Sequence, residues 1–81
     1  MYQKANKAIR VLADFYEGSI YPRKFKWDGK TYSVKRVHLN HQEREGSSIN
    51  YIFAAETEGG VYKIAFNNET LAWTLKEYYL E

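Results

Sequence analysis

The tightest constraint in the chain lies in residues 22–36, PRKFKWDGKTYSVKR, where Asp28 and Gly29 separate two segments of alternating apolar and polar residues. An Asp-Gly pair suits the positive φ angles of a two-residue type I′ turn, and such a turn fixes the register of the strands it joins. With Asp28 and Gly29 as the loop, Trp27 faces Lys30, Phe25 faces Tyr32 and Arg23 faces Val34. Phe25, Trp27, Tyr32 and Val34 then share one face, while Lys24, Lys26, Thr31, Ser33 and Lys35 take the other. One more loop residue would oppose Tyr32 to Lys26 and mix the faces, which a side-chain period of two penalises along the whole strand.

The same logic applies at EGGVYKIAF. Gly59 and Gly60 as a loop set Thr57 against Tyr62, Ala55 against Ile64 and Phe53 against Phe66, with Glu56 opposite Lys63 on the other face. Closing the turn cluster NNET, residues 67–70, places Phe66 beside Leu71, Ile64 beside Trp73 and Tyr62 beside Leu75. After Tyr32 and Val34, the next apolar residues, Val37 and Leu39, are odd-numbered. A β-bulge near Lys35 and Arg36 is the expected remedy. Beyond a loop near residues 44–48, Ile49, Tyr51 and Phe53 meet Leu39 and Val37.

At the start, Ile9, Val11, Ala13 and Phe15 alternate until Glu17, Gly18 and Ser19 end the run. Residues 5–12 also carry apolar groups at near-helical spacing, so a strand is expected there with a helix as the alternative. The fold class is therefore all-β: a six-stranded antiparallel meander, strongly curled or closed into a small barrel. Trp73 and Leu75 alternate inward near the end, and the pattern blurs at Tyr78 and Tyr79. Residues 1–7 and 79–81 are expected as the loose ends of one domain spanning 1–81.

Eighty-one residues leave room for one modest core, which eight Tyr, four Phe and two Trp help to fill. There is no cysteine, so neither a disulfide framework nor a thiolate metal site is available. No apolar segment resembles a secretory signal or a membrane span, and a cytoplasmic location is expected.

The pattern F-x-W-x-G-x-x-Y-x-V, here Phe25, Trp27, Gly29, Tyr32 and Val34, with Tyr62 in VYKIAF and Trp73 in WTL, resembles a family of small bacterial domains of unknown function. The likeness spans about residues 9–76. It implies a bacterial origin and a small β domain, and it carries no known activity.

Net charge is +2 and unevenly spread. Residues 22–38 carry Arg23, Lys24, Lys26, Lys30, Lys35 and Arg36 against Asp28 alone, whereas residues 39–81 are predominantly acidic. These six cations are the candidate nucleic-acid contacts. Against that role, the register places Phe25, Trp27 and Tyr32 on the face opposite Lys24 and Lys26, and exposed lysines also keep a strand from pairing with other chains.

HLNHQERE offers His38, His41, Glu43 and Glu45 as metal-binding types, but in a regular strand His38 and His41 lie on opposite faces. The serines have no His and carboxylate at a motif spacing, and Gly59-Gly60 precedes a strand where a phosphate loop would precede a helix. No catalytic function, cofactor or metal is expected. The remaining class is protein interaction or self-association through a sheet edge, aided by an outer-face patch of Ile52, Ala54, Val61 and Ala65. The expected function is thus that of a non-enzymatic interaction or accessory module, with nucleic-acid binding as the alternative.

Overall fold

In the computed structural model, which describes residues 2–81 and only the backbone of Leu39 and Asn40, every regular element is a strand. They are β1 (Tyr2–Tyr16), β2 (Ser19–Trp27), β3 (Lys30–Ser33), β4 (Arg36–Glu45), β5 (Ser48–Glu56), β6 (Gly60–Asn67) and β7 (Trp73–Leu80). All pairs are antiparallel, in the order β3-β2-β1-β7-β6-β5-β4, and the sheet curls into a half-barrel. Residues 5–12 lie within strand β1. Among the described residues no helix is long and apolar enough to cross a membrane.

Seven strands arise where six were expected, because the long third strand divides at Val34 and Lys35. The Val34 N–H donates to the Arg23 carbonyl of β2 at 2.9 Å, and the next N–H, that of Lys35, donates to the Glu56 carbonyl of β5 at 2.7 Å. Successive amides of an extended chain point in opposite directions, so the chain is bonded on both sides here. β3 continues along β2, β4 along β5, and the two partners diverge. β1 makes the other corner: residues 2–9 pair with β7 and residues 10–16 with β2.

Two-residue turns build much of the meander. Asp28 (φ 53°) and Gly29 (φ 78°) give the expected register, with Trp27 opposite Lys30 and Phe25 opposite Tyr32. Glu17 and Gly18 repeat the same positive φ pair between Tyr16 and Ser19. The expected loop at 44–48 tightens to Gly46 and Ser47, with Glu45 opposite Ser48.

Two registers differ from expectation by two residues. Ala55 faces Tyr62 and Phe53 faces Ile64, because the β5–β6 loop takes in Thr57 and Glu58, with the Thr57 N–H and hydroxyl both donating to the Gly60 carbonyl. Lys63 consequently opposes Ala54, and its Nζ lies 3.7 Å from Glu77 Oε1. In the β6–β7 connection, Asn67 Oδ1 accepts from the Glu69 and Thr70 amides, and Leu71 stays out of the core at φ 63°. Phe66 therefore faces Trp73 and Ile64 faces Leu75. Since a shift of two preserves which face a side chain takes, the core composition survives both corrections.

The core comprises Phe25, Phe53, Ala55, Tyr62, Ile64, Phe66 and Leu75. Fully burying a side chain such as Ile64 or Leu75 contributes about 1.5–3 kcal/mol. A register shift that leaves Lys76 unpaired in β7 turns Tyr78 inward onto Tyr62, at 5.7 Å between ring centroids, which explains the blurred pattern near the end.

At Gly60 a Cβ would lie 2.3 Å from the Tyr79 carbonyl oxygen of β7, whereas one at Gly59 would meet nothing within 4 Å. Gly60→Ala is expected to cost about 2 kcal/mol or more in denaturant unfolding, and Gly59→Ala about 0.5 kcal/mol or less. Equal costs would show that β6 and β7 do not approach this closely.

Candidate functional site

The divergence of β2 and β4 opens a cleft. β2 residues 19–22 pair with β1 alone, and β4 pairs only with β5, so each presents an edge without a strand partner among the described residues. Between them lies a cavity of about 460 Å³ whose apolar wall comprises Phe15, Ile20, Val37, Tyr51, Phe53 and Phe66. Gln42, Ser19 and Asn68 add polar groups. Phe15 packs edge-on against Phe66 at 5.4 Å yet remains 56% exposed.

The six cations of residues 22–36 do not form one surface. Arg23 is the extra residue of a bulge after Pro22, and its Nε lies 2.6 Å from Asp14 Oδ2. That hydrogen bond, followed by the Asp14 charge, raises the Arg23 pKa, and the guanidinium also sits over Tyr21 at 5.8 Å. Lys35 Nζ is 3.9 Å from Glu58 Oε1, and Arg36 opposes Glu56 on the far edge of the sheet. Lys24 and Lys26 stay exposed on the outer face of β2, across from Leu12 and Arg10 of β1. Lys30 is exposed opposite Trp27.

A register shift between Leu39 and His41 corrects another expectation. The extra residue turns His41 to the same outer face as His38, opposite Ile52 and Ala54 respectively. Each histidine then engages a different carboxylate: His38 Nε2 lies 2.9 Å from Glu56 Oε2, and His41 Nε2 lies 2.9 Å from Glu43 Oε2. The hydrogen bond from His41 is the largest influence on the Glu43 carboxyl and holds it below its usual range; burial opposes this, and the charges of His41, Lys76 and Lys63 add lesser pulls in the lowering direction. Among the described residues no group of three or more His, Cys, Asp or Glu gathers as a metal site.

The expected apolar patch on the outer face is largely closed. Ile52 is 1% exposed and Ala65 is buried, while Ala54 and Val61 are half-buried. Ile52 and Ala65 form one cross-strand row between His41 and Thr74, in the part of the face that carries Glu43, Lys63 and Lys76.

Comparison with known proteins returns no matching family model, curated protein or solved structure.

At the opposite end from the cleft, Trp27, Tyr32, Tyr62 and Tyr78 form an aromatic wall, with Trp27 and Tyr78 centroids 4.8 Å apart. The Tyr62 phenol is pushed up to about 12, first by burial and then by Tyr32, with which it shares a hydrogen bond, and Tyr78. The fold holds the neutral phenol, so its contribution is complete below the ordinary value near 10.0 and is lost as pH rises from there toward about 12. Denaturant unfolding of the wild type and Tyr62→Phe should show a steeper loss of stability in the wild type over that interval. Parallel losses would contradict the raised value.

Sequence reasoning missed Phe15, Ile20 and Gln42 as a group because the cleft exists only where β4 leaves β2. The parity break after Val34 was the available signal.

Proposed function

We propose that the protein is a non-enzymatic interaction module that takes an extended peptide segment along the free edge of β4, with apolar side chains of that segment entering the adjacent cleft. The observation that carries this is the coincidence of an edge and a pocket: ten residues of β4 have one strand partner, and the 460 Å³ cavity opens directly beside them. Main-chain hydrogen bonding to an edge supplies affinity, and pockets for alternate side chains supply selectivity. Val37 and Gln42 of β4 both line the cavity, so every second residue of an added strand has a place to lodge. Phe15, more than half exposed, forms an apolar lip on the far side.

The six basic residues of 22–36 support a nucleic-acid role less well, since Arg23 and Lys35 already face carboxylates and Arg36 lies on the other sheet edge.

A panel of peptides with alternating apolar and polar residues, followed by amide NMR, tests the proposal. Binding should protect β4 amides from exchange, and Phe15→Ala should weaken it by about tenfold, as loss of a buried aromatic contact does. N-methylation of the peptide at alternate residues should abolish binding by removing its donors. Unchanged binding of the methylated peptide would overturn strand addition, as would a stable dimer of the free protein that occupies the same edge.

A further inference from the structure

The half-barrel has a second opening, where the N-terminal half of β1 leaves β2. Pairing between these strands begins only at Arg10 and Lys26, and residues 2–9 of β1 follow β7 instead. The tip of the β2–β3 hairpin therefore stands apart from the start of β1. A cavity of about 470 Å³ fills the gap, with Trp27 and Tyr78 on its wall and Lys4, Lys7 and Asp28 at its border. Both rings are half-buried, so part of each remains accessible.

Cations flank this aromatic opening on both banks. Lys4 and Lys7 are on β1, Lys30 lies directly across from Trp27 in the hairpin, and Arg10 and Lys26 form a cross-strand pair where the strands converge. All five are exposed, and among the described residues none of them is in an ion pair. Asp28 is the acid at the border, and Glu77, opposite Lys4, is engaged by Lys63. Lys4, Lys7 and Lys30 thus border the two rings, with Arg10 and Lys26 nearby on the outer face, whereas Glu43, Glu45, Glu56, Glu58 and Glu69 lie on β4, β5 and the turns beyond them.

We propose that this opening binds single-stranded nucleic acid, with a base stacked against Trp27 and Tyr78 and the flanking phosphates held by Lys4, Lys7 and Lys30. A strand whose bases are unstacked offers π faces to such a platform, and a cationic border follows its backbone without reading sequence. A duplex keeps its bases stacked on one another, so it engages the cations alone. The site differs from the set of six cations in residues 22–36: it needs Lys4 and Lys7 from outside that segment, and it excludes Arg23, Lys35 and Arg36.

The test is fluorescence anisotropy with a labelled oligothymidylate, a duplex of equal length and an oligoglutamate of equal charge, at low and at physiological salt. The single strand should bind more tightly than the other two, with a log–log salt slope of about −2 for three neutralised phosphates. Lys4→Glu with Lys7→Glu, both exposed positions, should weaken binding by about tenfold or more, while Lys35→Glu should change it by less than about twofold. In a Trp73→Phe background the remaining tryptophan, Trp27, should be quenched on binding. No binding at low salt would overturn the proposal. So would equal affinity for oligoglutamate or duplex, equal losses in Lys35→Glu and the double variant, or an unquenched Trp27.

Discussion

Two adjacent main-chain hydrogen bonds organise the molecule. The N–H of Val34 reaches the Arg23 carbonyl and the N–H of Lys35 reaches the Glu56 carbonyl, so one short piece of chain joins the two ends of a seven-stranded sheet. Closing a sheet normally requires a tilted and staggered set of strands with continuous ladders. Here closure is confined to a corner. Away from it, β3 and β4 follow partners that separate, which creates both the free edge of β4 and the cleft beside it.

The corner holds because the interior fills it. Tyr32 and Val34 on one side, and Val37 on the other, pack against a core that includes Phe25, Phe53, Ala55 and Tyr62. Phe25 stacks on Tyr32 at 5.1 Å and meets Tyr62 edge-on at 5.2 Å, so the first hairpin is fastened to β6 across the curled sheet. Register irregularities in β1, β2, β4 and β7 let strands bend while keeping apolar residues inside. Pro22, which has no N–H to place in a ladder, sits at one of them.

Much of this was legible in the chain. Asp28 and Gly29 determine their hairpin locally, and the alternation around them identifies Phe25, Trp27 and Tyr32 as inward. The face of each residue in β5 and β6 was also readable, but not the pairing: Thr57 capturing the Gly60 carbonyl and Asn67 wrapping its own turn shift the registers by two, and alternation is blind to such a shift. His38 and His41 were misplaced for a different reason. An extra residue, Asn40, between Leu39 and His41 reverses parity, and a single Asn within a run of polar residues does not by itself specify a bulge. The basic hairpin illustrates the limit for sites, since Asp14 and Glu58, distant in sequence, engage Arg23 and Lys35, while among the described residues Lys24, Lys26 and Lys30 are in no ion pair.

Both proposed binding openings follow from the same geometry, in which two long segments, β1 and β3–β4, each pass from one partner strand to another and leave a gap behind. Residue-resolved amide hydrogen exchange tests this directly. The Val34 and Lys35 amides should both be strongly protected, and protection along β4 should alternate, with amides facing β5 slow and those facing the cleft fast. Uniform protection along β4 would mean that its outer edge is paired, and rapid exchange at Val34 or Lys35 would mean that the corner does not hold the sheet together.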